Sequence, residues 1–212
     1  MEVGASDPAR DPRFAMFQFD VLMTAGLGFV TDAYDLFIMG IVLVILRTQW
    51  HLTVVELSLL GSTALVSAGL GALVFGRLFD LFRPKRVYTI DLLILAAGAF
   101  GSAFVPDIWW LLLCRFVVGV AVGGGYPISA TIMSAYAAAN RRGQMVSMVF
   151  AAQGIGLTLG PIIALLALKS GLSTDVAWRV LLALGGLPPL LVFYFRHRMH
   201  RSRYYHELRD MV

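Results

Sequence analysis

The chain has 212 residues, 58% of them hydrophobic and only 14% charged, with a mean hydropathy of +0.78. A soluble domain carries about 25% charged residues, so the composition excludes one and points to a polytopic membrane protein. The net charge of +4 does not imply nucleic acid, because the basic residues gather at the edges of apolar runs; a single cysteine, Cys114, leaves no disulfide framework and no thiolate metal site.

Met1 to Arg13 is polar and carries charge of both signs. No short apolar core with a small-residue cleavage site follows it, so it is not read as a cleavable signal. Six apolar runs of membrane-crossing length then predict six helices, over roughly 17–46, 54–76, 87–106, 109–138, 144–168 and 178–196. The expected organisation is a tail over 1–16, a six-helix bundle over 17–196 and a basic tail over 197–212.

The first run holds the most informative feature, Gly28-Phe29-Val30-Thr31-Asp32-Ala33-Tyr34-Asp35. Carboxylates at mid-membrane depth are costly and mark function by default. Spaced i, i+3, Asp32 and Asp35 leave the helix on one face, and ionising one opposes ionising the other. They are expected to bind a proton or a substrate; the bland alternative is capping by Thr31 or Tyr34 hydroxyls. The loop after the second run, Gly76-Arg77-Leu78-Phe79-Asp80 through Arg83, Lys85 and Arg86, fits an ion-paired conformational latch. Positive-inside anchoring alone explains its Lys and Arg but not Asp80. Asp20 and Asp91 sit near span ends on the basic side, where solvation is easy, and Asp80 and Asp91 are candidates to share the loop network.

Arg115 lies about six residues into the fourth run, where it either snorkels outward or pairs with an acid on another helix. Gly123-Gly124-Gly125-Tyr126-Pro127 follows, with Tyr126 offering a hydroxyl to a polar ligand, or serving only as part of a kink. Gly119-x-x-x-Gly123 and Gly156-x-x-x-Gly160 permit close helix approach. Pro127 and Pro161 are expected to break the helical ladder locally. Gln153, the one amide in the middle of the fifth run, needs a hydrogen-bonding partner, ligand or helix.

The Lys and Arg residues cluster on the side of the N-terminus, the 2–3 and 4–5 loops and the C-terminal tail; Arg47, Lys169 and Arg179 lie opposite. Both termini are therefore expected in the cytoplasm, with Trp50, Trp109, Trp110 and Trp178 as a belt at the other interface.

Six spans, the Gly-x-Leu-x-Asp…Lys-Arg loop (Gly76 to Arg86) and Arg115-x-x-x-Gly119 together resemble the major facilitator superfamily. Gly28 to Asp35, Gly124 to Ile132, Arg142-Gly143 and Gln153-Gly154 resemble its phosphate:proton symporter family. The resemblance implies an all-α membrane protein whose six transmembrane helices form a 3+3 inverted repeat, the N-terminal bundle of a major facilitator fold. It implies a plasma-membrane transporter, not an enzyme, coupling inorganic phosphate to protons and using no cofactor beyond the proton. Asp32 and Asp35, with Arg115, would serve proton coupling; Tyr126 and Gln153 would contact phosphate; Gly76, Asp80, Arg83, Lys85 and Arg86 would form the conformational loop. Its partners would be the lipid bilayer, a small anion, and a second six-helix half or a second copy, with no nucleic acid. The chain departs from the family pattern at Gly125 and Ala135, where acids are usual, at Leu81 and Arg83 in the loop, and in the tail from Met199. Transport of an organic solute such as a sugar or carboxylate is the alternative. The half-length chain is a fragment, a half that pairs, or a non-transporting copy. An intramembrane aspartyl protease is disfavoured, since Tyr34-Asp35 lacks a companion Gly-x-Gly-Asp.

Overall fold

The computed structural model describes residues 12–82, 84–136 and 142–199, with side chains over 26–82, 86–127 and 143–194. Among these residues the structure is entirely helical: α1 Pro12–Gln49, α2 Val54–Leu81, α3 Pro84–Ala103, α4 Ile108–Tyr136, α5 Arg142–Ala151, α6 Gln153–Lys169, α7 Thr174–Leu184 and α8 Leu187–Met199. They supply six spans long and apolar enough to cross a membrane. The fifth span is α5 and α6, interrupted at Ala152; the sixth is α7 and α8, interrupted at Gly185-Gly186.

These interruptions differ from expectation in an instructive way. Pro161 lies inside α6 and Pro127 inside α4, and both helices continue through them. A proline removes one ladder hydrogen bond and pushes on the preceding turn, which a helix packed against neighbours absorbs. The sixth span is interrupted where two glycines precede Pro188 and Pro189, so weak helix formers and missing N–H donors coincide.

α1 is the central element and packs against α2, α4, α5, α6, α7 and α8. Glycines set how closely it and α4 are approached. A Cβ on Gly119 would collide with Ser67 Oγ and the Ala64 carbonyl, and one on Gly123 with the Ala68 carbonyl, so α4 lies directly on the α2 backbone. A Cβ on Gly156 would meet the Val30 carbonyl and sit 2.9 Å from Ala33 Cβ, which seats α6 on α1. Gly160 has ordinary clearance, 3.5 Å to Phe37 Cβ, so of that glycine pair only Gly156 is demanded by packing.

Towards the end of α1 at Gln49, an apolar cluster joins Ile38, Val42, Leu46, Leu60, Leu111, Leu181, Leu182 and Trp178. Trp178 does not stand at the lipid interface as the belt expectation had it. It is fully buried, edge-on to Trp50 with ring centroids 5.6 Å apart, and the Arg179 guanidinium lies 4.4 Å over its ring. Trp109 and Trp110 are exposed. α2 begins with a capping box: the Thr53 N–H donates to Glu56 Oε2 at 2.8 Å and the Glu56 N–H to Thr53 Oγ1 at 3.3 Å.

Candidate functional site

Four charged side chains are buried among the described residues: Asp32, Asp35, Asp91 and Arg115. Three carboxylates therefore face one guanidinium within the bundle. Each must find a partner, because an isolated charge in low dielectric is strongly disfavoured.

Arg115 does not snorkel. It is fully buried, and its Nη1 donates to both oxygens of Asp35, at 2.8 and 2.9 Å. Its Nη2 donates to Ser102 Oγ at 2.8 Å, and Ser102 in turn donates to the Gly98 carbonyl at 2.7 Å. The pair thus joins α1 to α4, and Ser102 holds the guanidinium from α3. Arg115 Nε has no hydrogen-bond partner among the described residues. Asp35 also lies beside the interruption of the sixth span, its Oδ1 3.7 Å from where a Gly185 Cβ would stand.

The hydroxyls of the capping alternative, Thr31 and Tyr34, are engaged elsewhere. Thr31 donates to the Leu27 carbonyl at 2.8 Å, the usual i−4 bond within a helix, and Tyr34 donates to the Leu181 carbonyl at 2.9 Å. Tyr34 therefore ties α1 to α7.

Asp32 points to a different neighbourhood from Asp35. Its Oδ2 lies 3.7 Å from the position of a Gly125 Cβ, and Asp91 Oδ2 lies 3.5 Å from the same point. The two carboxylates converge on bare backbone. Asp91, on α3, thus shares this stretch of α4 with Asp32. This corrects the expectation that Asp91 is solvated near a span end. It is 2% exposed, and its Oδ1 has no hydrogen-bond partner among the described residues. Its place inside the run over 87–106, with Leu92-Leu93-Ile94-Leu95 directly after it, is the signal that would have found it. Proximity to Lys85 and Arg86 in sequence hid it. Nothing in the sequence singles out Ser102.

Tyr126 and Gln153 meet: the Gln153 amide donates to the Tyr126 hydroxyl, joining α4 to the start of α6. An open cavity of about 210 Å³ between α1, α2 and α4 is lined by Asp35, Leu36, Ala64, Leu65, Ala68, Gly119, Val122 and Tyr126. Asp35 and Tyr126 thus share one space, which Asp32 and Asp91 do not line. A hydroxyl that accepts from Gln153 keeps its own O–H to donate, and so suits an anion.

The loop residues stand apart from this site. Asp80, Arg77 and Arg86 are exposed, and among the described residues Asp80 makes no ion pair. The side chains of Arg83 and Lys85 lie outside the described residues. A latch through Asp80 to Arg77 or Arg86 is therefore absent here, as is any link from Asp80 to the buried Asp91.

The profile of the Major Facilitator Superfamily matches residues 25–208. The chain belongs to that superfamily. Its curated relatives include "Probable inorganic phosphate transporter 1-9" of Arabidopsis thaliana, 35% identical over 91% of this chain and 42% of the relative. "Inorganic phosphate transporter 1-11" of Oryza sativa subsp. japonica is 31% identical over 96% of this chain and 43% of the relative. The chain thus spans less than half the length of these relatives. The superfamily's proton:xylose symporter XylE from E. coli superposes with a TM-score of 0.78 at 20% identity, over 89% of this chain and 45% of that one. That likeness establishes the fold: the six spans are those of the N-terminal half of a major facilitator transporter.

Proposed function

We propose that this chain is the first half of a proton-coupled transporter of inorganic phosphate. The single observation that carries the proposal is the charge inventory of the bundle. Three carboxylates and one guanidinium are buried in it, and Asp35 lines one open cavity together with Tyr126 of the hydroxyl–amide pair. With all three acids ionised, the site carries excess negative charge and repels an anion in low dielectric. Protons taken up at Asp32, Asp91 or Asp35 remove the repulsion, so anion and proton enter together. Coupling is then a consequence of the electrostatics rather than an added device.

In this reading Tyr126 and Gln153 hold the phosphate. Asp32, Asp35 and Arg115 handle the proton, with Asp91 as a fourth member, and protonating Asp35 releases Arg115 from its ion pair. Gly76, Asp80, Arg83, Lys85 and Arg86 form a latch whose acceptors come from another bundle. The chain lies in the plasma membrane with both termini cytoplasmic, the bundle spanning 17–196 between tails at 1–16 and 197–212. A second six-helix half, or a second copy, closes the cavity. The names of the relatives support phosphate as the substrate.

The test is uptake of radiolabelled phosphate into proteoliposomes holding the chain, alone and with a complementary six-span half, under an inward proton gradient. Xylose and dicarboxylates serve as competitors. Phosphate accumulation that collapses with the gradient is expected. Gradient-driven uptake of a competitor, with phosphate ignored, would assign the bundle to an organic solute.

A further inference from the structure

Phe29 sits on α1 one turn before Asp32 and is 1% exposed. Its ring meets two others edge-on: Tyr126 of α4, with centroids 4.7 Å apart and planes at 77°, and Phe150 of α5, also at 4.7 Å and at 61°. Both geometries are the favourable T-shaped arrangement, with ring edge against ring face. Phe150 lies in the last turn of α5, directly before the interruption at Ala152, and Gln153 opens α6 directly after it. One buried ring therefore touches the Tyr126 side chain and the helix end that leads into Gln153. Gly124 and Gly125, the residues before Tyr126, supply no side chain against which the tyrosine ring can rest.

We propose that Phe29 is a positioning residue: it orients the Tyr126 ring so that its hydroxyl meets the Gln153 amide, and it acts on substrate only through that pair. The place of a tyrosine hydroxyl is fixed by two torsions of its ring, and a hydrogen bond at one end does not fix both. The edge-on contact supplies the second constraint, and the contact with Phe150 fixes where Gln153 begins. A leucine in place of Phe29 keeps an apolar filling but removes the quadrupolar contact and the flat wall. The consequence for substrate rests on the reading of Tyr126 and Gln153 as the phosphate site; the consequence for the hydroxyl does not.

The experiment uses the full chain in lipid nanodiscs, with two readouts. The first is equilibrium binding of radiolabelled phosphate by the parent chain, Phe29→Leu, Tyr126→Phe and the double variant, with Phe29→Met as a second replacement should the leucine variant fail to fold. The second is the NMR signal of ring-labelled tyrosine, with Tyr126 assigned by its loss in Tyr126→Phe. An aromatic pair contributes a factor of about two to ten, so Phe29→Leu is expected to weaken phosphate binding about three- to tenfold. In the Tyr126→Phe background the same substitution should change nothing further. The Tyr126 signal should move in Phe29→Leu towards its position in Gln153→Leu. Effects of Phe29→Leu and Tyr126→Phe that multiply, or an unmoved Tyr126 signal in both Phe29 variants, would overturn the proposal. A parent chain that binds no phosphate while the Tyr126 signal moves as described sinks the substrate assignment and leaves the positioning role standing.

Discussion

The ion pair between Asp35 and Arg115 is open to direct energetic test. Its partners are 4% and 0% exposed at the side chain, so solvent screening does not weaken the interaction as it does at a surface. Replacing Arg115 by methionine removes both bonds to Asp35 and the bond to Ser102, leaving a buried carboxylate alone beside Gly185. Breaking a buried pair from one side costs roughly 3–5 kcal/mol. Asp35→Leu strands the guanidinium, whose Nε already has no hydrogen-bond partner among the described residues, at a similar cost. Replacing both together removes charge from an apolar bundle and should leave stability within about 1 kcal/mol of the parent. The coupling energy is then about 5 kcal/mol or more. Unfolding in lipid–SDS mixed micelles, followed by tryptophan fluorescence with the buried Trp178 as reporter, measures all four proteins. Single losses that simply add in the double variant would refute the account of the pair as a mutually dependent buried contact.

Three further outcomes follow from the packing and the site. Gly119→Val should destabilise the bundle by about 2 kcal/mol or more through overpacking against the α2 backbone, whereas Gly69→Ala, which meets open space, should be neutral or stabilising by about 0.5 kcal/mol; the same micelle titration compares them. Asp91→Asn should leave the fold intact and flatten the dependence of phosphate binding on pH between weakly acid and weakly alkaline buffer, read by radioligand binding; an unchanged profile places Asp91 outside the coupling site. Tyr126→Phe and Gln153→Leu should each weaken phosphate binding about tenfold, the scale of one charge-assisted hydrogen bond, with melting shifted little.

Much of the fold is written in the sequence as hydropathy. Six apolar runs became six spans because lipid leaves a chain no other way to satisfy its backbone. Gly119, Gly123 and Gly156 announced the close helix crossings. What hydropathy cannot carry is which buried groups face one another. Asp32 and Asp35 are neighbours along α1, yet Asp35 turns to Arg115 while Asp32 meets Asp91 at Gly125, since Arg115 and Gly125 stand ten residues apart along α4. Asp91 was hidden because distance from a basic loop is a poor measure of depth once helices tilt and cover one another. Trp178 looked interfacial by its place in the chain and is instead a core residue, because its ring packs against Trp50 and the apolar cluster of α1 and α7. The interruption of the fifth span falls at Ala152 rather than at Pro161, and no residue type at Ala152 marks it.

The central claim is that the buried carboxylates exchange a proton when the anion arrives, and infrared difference spectroscopy on the chain in lipid tests it most directly. Adding phosphate at neutral pH should change the absorption of protonated carboxyl groups, and the change should be lost in Asp32→Asn and diminished in Asp91→Asn. A spectrum in which phosphate perturbs Tyr126 and Gln153 but leaves every carboxyl band untouched would contradict proton coupling at this site.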